Sequence, residues 1–465
     1  MKFGGTSVED ARAFARVAEL VSSAAAEGHP RPVVVVSAMS KFTDALVSAS
    51  GQAAEGRPGE AARALEEHFA RHSGVAGELL SPAERERFGP LLEAARAEVG
   101  AALEEAAAGT RPRALLQDRV ASYGEQLSAS LLAAVLRSRG LDAAHVDSRA
   151  CVLTDDEHGR AAPLKAETEA HTRAEVEPHL AAGRVPVMGG FIARSALTGE
   201  TTTLGRGGSD FTAALAGAAL GAREIQIWTD VPGVMTADPR VVAAARTIPR
   251  LSYGEAAELA YFGAKVLHPK TILPAVVRNI PVRICNSRDP RGPDTVVYFD
   301  AEMTPRTVKA IACKSGVHIV HITSARMLGA YGFLRAIFEV FERHRTAVDI
   351  VATSEVSVSL SLEETGELER IVEDLRPIAA VRVEEARAII CIVGEGLRTT
   401  PGIAGRVFST IKDINVLLIS QGASNINLTF AIEARHVREA VRRLHAAFFE
   451  CATSELLGHI GESRG

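Results

Sequence analysis

The last third of the chain contains one pattern twice. Starting at Gly332, GFLRAIFEVFERHRTAVDIVATSEVSVSLSL runs alongside GIAGRVFSTIKDINVLLISQGASNINLTFAI from Gly402, so that Phe338 stands over Phe408, Val348 over Val416 and Leu360 over Leu428. An internal repeat restricts the fold more than local propensity does, because both copies must build the same supersecondary unit. Each copy follows an apolar strand pattern (HIVHIT and AIICIVGE) and ends in an amphipathic helical stretch, Glu367 to Pro377 and Ala434 to Phe449. Strand, helix, strand, strand, helix within about 70 residues describes a ferredoxin-like βαββαβ unit, here in duplicate.

Upstream the pattern changes. PVVVVS, from Pro32 to Ser37, is short, β-branched and without polar alternation, which suits a parallel strand covered on both faces. RVPVMGGF (Arg184 to Phe191), EIQIWT (Glu224 to Thr229) and IPVRIC (Ile280 to Cys285) repeat the signal. Between them lie stretches of strong helix formers, such as Gly59 to Ala70 and Arg113 to Gly140, and the segment from Gly51 to Gly109 reads as a helical insertion. Strands alternating with helices predict an α/β domain, an αβα sandwich on a mainly parallel sheet. Pro, Gly and charge concentrate between Asn286 and Thr307, the expected boundary, which places the domains at 1–300, 308–385 and 386–460.

Composition narrows the function classes. With 465 residues the chain is too long for one core, and a formal net charge of -5 offers no basic surplus for a nucleic-acid backbone. No apolar run approaches the roughly 18 residues that span a bilayer. MKFGGTSVED lacks the layout of an export signal, so a cytoplasmic protein is expected. Cys151, Cys285, Cys313, Cys391 and Cys451 are odd in number and widely spaced, which predicts buried thiols rather than disulfides or a zinc site.

Three glycine-bearing turns suggest an anion site: Lys2 to Ser7 (KFGGTS), Met188 to Phe191 (MGGF) and Thr203 to Asp210 (TLGRGGSD). Glycines let peptide N–H groups approach phosphate oxygens, and the helical segment after Asp210 would place a positive helix end beside the third turn. Neither a P-loop nor a dinucleotide fingerprint occurs at these places. Lysine is scarce beside arginine, which singles out Lys2 and Lys265 as point charges for a transferring phosphoryl group.

Taken together and in this order, KFGGTS, TTLGRGGSD, WTDVPGVMTADPR and FGAKVLHP resemble the aspartate kinases of the amino-acid kinase family, and the doubled tail resembles their paired ACT domains. The likeness covers essentially the whole chain. It implies transfer of the γ-phosphoryl group of ATP, with Mg2+, to the side-chain carboxylate of L-aspartate, giving 4-phospho-L-aspartate on the route to lysine, threonine and methionine. By motif, Lys2 would bridge the phosphates, with Gly4 and Gly5 in close backbone contact. Arg206 would grip the aspartate α-carboxylate, a task suited to a planar fork. Gly207, Gly208 and Ser209 share that stretch, and Asp210 would orient Lys2 and the reacting groups. Glu125, in YGEQLS, would receive the substrate ammonium, and Thr43, with Ser37 nearby, would contact aspartate. Thr229, Asp230, Met235, Arg240, Lys265 and Val266 match positions around the nucleotide. Two departures stand out: only Met1 precedes Lys2, and Met235 replaces a tyrosine common in the family, though a thioether can pack on a ring. Mg2+ would be held mainly by phosphates and water, with no protein metal site.

In the first repeat, ARMLGAYGFLRAIF and AVDIVATSEVSVSL resemble the effector-binding stretches of lysine-inhibited aspartate kinases. Carried over, Met327, Gly332, Phe333, Leu334, Val348, Asp349, Thr353, Ser354 and Glu355 would form a lysine pocket at an interface between two ACT units. Edge strands of such units pair between chains, which predicts a homodimer or a tetramer built from dimers. The alternatives are another carboxylate-directed amino-acid kinase and a non-catalytic ACT-type amino-acid sensor.

Overall fold

The computed structural model describes residues 1–26, 31–263, 267–299, 308–363, 365–422 and 424–450. The chain forms two compact units: Met1–Val234 with Pro249–Tyr253 and Val266–Ala301, and Met235–Ile248 with Gly254–Lys265 and Glu302–Gly465.

The strands of the first unit are β1 (Lys2–Phe3), β2 (Val34–Val36), β3 (Ala143–Val146), β4 (Leu153–Thr154), β5 (Val185–Gly189), β6 (Ile192–Ser195), β7 (Thr201–Thr203), β8 (Ile225–Thr229), β9 (Arg250–Ser252), β10 (Val282–Asn286) and β11 (Thr295–Tyr298). Eight of them form one sheet in the order β3-β5-β2-β1-β8-β10-β11-β9, parallel except between β10 and β11. Strands β4, β6 and β7 make a small second sheet. The unalternated runs are buried on both faces: Phe3, Val34, Val36, Val185 and Val187 are fully covered. Short β1 lies at the centre, paired with β2 and β8, and the Met1 ammonium donates to the Val33 carbonyl at 2.8 Å.

Five helices precede β3: α1 (Ala11–Ala26), α2 (Phe42–Ala54), α3 (Pro58–Leu79), α4 (Pro82–Ala108) and α5 (Arg113–Ser138). The Ala- and Glu-rich insertion is the α3–α4 pair, and Ser81 with Pro82 starts α4 as a capping residue and an N1 proline should. Leu65, Phe69, Leu92, Val99 and Leu103 pack that pair into the same core as the sheet. Helix α5 is buried along most of its length, including its polar residues Asp118, Ser122, Glu125 and Ser128. Polar groups taken that far from water need partners: Asp118, Ser128 and Oε1 of Glu125 bond loop peptide groups at the strand ends, and Ser122 bonds within α5 to the Arg119 carbonyl and Gln126.

In the second unit, β12 (Ala310–Thr323), β13 (Ile350–Thr353), β14 (Ser357–Glu363), β15 (Ala380–Val393), β16 (Leu418–Gln421) and β17 (Asn427–Glu433) form one antiparallel sheet in the order β13-β14-β12-β15-β17-β16. The two repeats are not consecutive beads. Residues 317–323 of β12 pair with β14 of their own repeat, whereas residues 310–315 pair with residues 388–393 of β15, the part that also pairs with β17. Each long strand thus serves both ferredoxin-like units. The changeover falls at Gly316 (φ 76) and Ala386 (φ 53), where the register shifts as a β-bulge requires. Leu360 and Leu428, equivalent in the repeat, are both fully buried. Among the described residues, no helix is long and apolar enough to cross a membrane. Cys151, Cys285 and Cys391 are buried and unbridged, with burial pushing each thiol up to about 12. Cys451 lies outside the described residues.

Candidate active site

In open α/β sheets ligands gather at the carboxyl ends of strands where the strand order reverses. The glycine turn after β1, the Ser37–Lys41 loop after β2, the Gly189–Phe191 turn after β5 and the end of β8 all lie at that edge. Lys2 Nζ lies 2.7 Å from Asp210 Oδ1, and both side chains are largely covered. These partners are 208 residues apart, and β1 at the sheet centre brings them together. The helix carrying Asp210 runs Gly208–Leu220 and is entered through Gly207 at φ 73. It therefore starts ahead of Asp210 rather than after it as the residue pattern alone predicts; the left-handed glycine turns the chain into the helix before that residue.

Close approach explains the other glycines. A β-carbon on Gly190 would sit 2.5 Å from Cβ of Ser209, and one on Gly5 would sit 3.0 Å from the Ala38 carbonyl oxygen. The turn after β5 is thereby pressed on the first turn of the Gly208–Leu220 helix, and the turn after β1 on the loop after β2.

Glu125 is 4% exposed. Its Oε1 accepts from the Ala38 N–H at 3.2 Å and from Thr43 Oγ1 at 3.5 Å, while Oε2 is buried with no hydrogen-bond partner among the described residues. Burial pushes its pKa up to about 8, against the smaller opposing effects of those hydrogen bonds and of the Lys2 charge. One helical turn on, Ser128 Oγ accepts from the Met39 N–H at 3.1 Å, so α5 fixes two consecutive peptide groups of the β2 loop.

Two cavities share Ser37, Thr43 and Glu125 in their walls. The larger, about 360 Å³, is bounded by Gly4, Gly5, Thr229 and the Ser37–Lys41 loop. The smaller, about 270 Å³, is bounded by Lys2, Phe191, Gly205 and Gly207 to Asp210. Arg206 is exposed between two wall glycines of the smaller cavity. The expected residues Lys2, Gly4, Gly5, Ser37, Thr43, Glu125, Gly207, Gly208, Ser209, Asp210 and Thr229 all line one cavity or both. Asp230, next in the chain, accepts from Thr229 Oγ1 at 3.2 Å. Met235 and Arg240 belong to the second unit, where Arg240 forks onto Asp238. Lys265 and Val266 lie outside the described residues. Ser128, Phe191 and Lys41 were not singled out as site residues from the sequence; only the double glycine before Phe191 carried a local signal. Among the described residues, no three His, Cys, Asp or Glu side chains are grouped to hold a metal ion.

The effector candidates occupy one edge of the first repeat. Gly332, at φ 80, caps the Phe333–Arg343 helix, and Met327, Phe333 and Val348 pack partly buried against the core of that repeat. Leu334, Thr353, Ser354 and Glu355 are exposed. Asp349 is already engaged: it accepts from the Tyr261 hydroxyl and lies 3.3 Å from Lys314 Nζ, whose ammonium also sits 4.7 Å from the Tyr261 ring centre.

Residues 1–286 match the amino acid kinase family, and residues 390–448 match an ACT domain. Lysine-sensitive aspartokinase 3 of Escherichia coli is 39% identical over 97% of this chain and 98% of its own length. The chain belongs to the aspartokinase family. Aspartokinase 1, chloroplastic, of Arabidopsis thaliana is 38% identical, over 98% of this chain and 81% of its own length. The crystal structure of E. coli aspartokinase III with aspartate and ADP, in its R-state, superposes with a TM-score of 0.80 at 38% identity, over 97% of this chain and 99% of that one. The lysine- and aspartate-bound T-state of the same enzyme gives 0.79 at 37% identity, with the same coverage. The αβα fold with its paired ACT units is thus that of the family.

Proposed function

We propose that the protein transfers the γ-phosphoryl group of ATP to the side-chain carboxylate of L-aspartate, releasing ADP and 4-phospho-L-aspartate, and that lysine inhibits it. The observation that carries this reading is Glu125 Oε2, a buried carboxylate oxygen without a partner where two cavities meet, beside the Lys2–Asp210 pair. An ammonium group placed there would supply the missing donor and return the carboxyl to its charged form. Aspartate has such an ammonium, and Arg206 would take its α-carboxylate as a two-pronged donor. The side-chain carboxylate is ionised at neutral pH, so it can attack the γ-phosphorus without a general base as the bond to the bridging oxygen of ADP breaks. Holding two anions end to end is then the main task. Lys2 would bridge the phosphates, oriented by Asp210, while peptide N–H groups near Gly4, Gly5 and Gly207–Ser209 add donors without a reorganisation cost. Ser37 and Thr43 would contact aspartate, and Thr229, Asp230, Met235, Arg240, Lys265 and Val266 the nucleotide.

Mg2+ would be carried on phosphate and water oxygens. When bound it neutralises phosphate charge. For regulation, we assign the lysine pocket to Met327, Gly332, Phe333, Leu334, Val348, Asp349, Thr353, Ser354 and Glu355, with inhibition through a shift between two quaternary states. The exposed apolar side chains Leu328, Tyr331 and Leu334 on that repeat favour a homodimer, or a tetramer of such dimers, joined through the ACT units of 308–385 and 386–460. The cytoplasm is the compartment we assign. The experiment is an initial-rate assay of ADP release with ATP, Mg2+ and aspartate, with and without lysine, trapping the acyl phosphate as its hydroxamate. Aspartate-dependent turnover lowered by lysine is expected; ADP release indifferent to aspartate would refute the assignment.

A further inference from the structure

Lys41 stands in the wall of the larger cavity with Gly4, Gly5 and Thr229, and the mechanism above leaves it unused. Its backbone is left-handed, with φ 68 and ψ -1. That conformation is unfavourable for a residue with a β-carbon and persists where the surroundings impose it. Those surroundings can be named. Arg71, from the helical insertion, donates through Nη1 to the Ser40 carbonyl at 3.0 Å and through Nη2 to the Glu9 carbonyl at 2.8 Å. One guanidinium therefore ties the loop before Lys41 to the chain just after the Gly4–Gly5 turn, while Ser128 and Glu125 hold the preceding peptide groups from the other side.

Lys41 gains nothing visible from this position. It precedes α2 but makes no capping hydrogen bond, and among the described residues it has no ion-pair partner, although Asp44 shares the cavity wall. Glycine would fill the same conformation at no steric cost. Only eight of the 52 basic residues in the chain are lysines. The charge of Lys2 is already offset by Asp210, and Asp44 adds a further carboxylate to the wall of a cavity that must accept a triphosphate.

We propose that Lys41 is a further cation of the phosphoryl-transfer site, contacting the terminal phosphates of the nucleoside triphosphate, and that Arg71 is the positioning residue that holds it there. This rests on the kinase reading, and the helical insertion acquires a role as the outer brace of the phosphate cavity.

Lys41→Gly tests it, because the substitution removes the ammonium and relieves the backbone at once. The KM for ATP should rise about tenfold or more, as for a lost charged hydrogen bond, with the melting temperature unchanged or raised. Lys41→Arg should recover most of the loss. Arg71→Lys keeps a charge but cannot span both carbonyls, and should raise the same KM while leaving the KM for aspartate less affected. ADP titration by calorimetry on parent and Lys41→Gly protein gives a readout independent of turnover. A Lys41→Gly enzyme with the parent's KM for ATP, kcat and ADP affinity would overturn the proposal. Absence of aspartate-dependent turnover in the parent, measured in the same assay, would instead overturn the kinase reading.

Discussion

Replacing Glu125 with glutamine should stabilise the free protein at alkaline pH and impair aspartate binding. In the fold, burial pushes this carboxyl up to about 8 from its ordinary value of 4.5. Between those two pH values the folded state binds more protons than the unfolded state at this site, so stability falls as pH rises and the loss is complete above about 8. Moving the carboxyl from 4.5 to about 8 sets a ceiling of roughly 5 kcal/mol. Relaxation around a buried charge and the amide's own unpaired N–H bring the expected gain down to about 1–3 kcal/mol at pH 9, with little change below pH 4.5. Catalysis moves the other way. An ammonium held by a buried carboxylate is worth about 1.5–3 kcal/mol, so the KM for aspartate should rise roughly ten- to a hundredfold. The parent's kcat/KM for aspartate should climb with pH up to about 8, and that limb should vanish in the variant. Thermal denaturation at pH 4.5 and 9, with rates across the same range, reads both effects. A variant less stable than the parent at pH 9, with an unchanged KM for aspartate, would refute the reasoning.

Arg206→Ala should raise the KM for aspartate by about ten- to a hundredfold through loss of a bidentate carboxylate contact, with little change in melting temperature because the residue is exposed; steady-state kinetics and a thermal melt check both halves. Gly190→Ala should destabilise by about 2 kcal/mol or more, since its β-carbon would fall 2.5 Å from Cβ of Ser209, and urea titration reads the cost. Glu355→Ala should raise the lysine concentration for half-inhibition at least several-fold; an unchanged inhibition curve removes Glu355 from the pocket.

The sequence was legible where chemistry leaves a local mark. KFGG and GRGGSD carry glycines because backbone comes close there, and Gly5, Gly190 and Gly207 meet neighbours that leave little or no room for a β-carbon. The unalternated runs became β2, β5, β8 and β10 because burial on both faces removes polar alternation. What stayed hidden lacks a local mark. Ser128 is an ordinary helical letter until the β2 loop folds over it, and Arg71 looks like any arginine of an Ala-rich helix; Glu125 is marked by its YGEQLS motif, but its unpaired oxygen is not. The pairing of Lys2 with Asp210 is expected from the resemblance only; the sheet order that produces it leaves no local mark. The shared strands of the repeats were invisible for a related reason: HIVHIT and AIICIVGE mark only part of each long strand, and a single bulge at Gly316 or Ala386 hands the rest to the other repeat. The engagement of Asp349 by Lys314 and Tyr261 joins three distant segments that no motif connects.

The most direct measurement is a crystal structure of the protein with aspartate and a non-hydrolysable ATP analogue. The aspartate ammonium should lie within hydrogen-bond distance of Glu125 Oε2, its α-carboxylate on Arg206, and its side chain in line with a terminal phosphate held by Lys2. Aspartate bound elsewhere, or Glu125 Oε2 still without a partner while both ligands are present, would contradict the account.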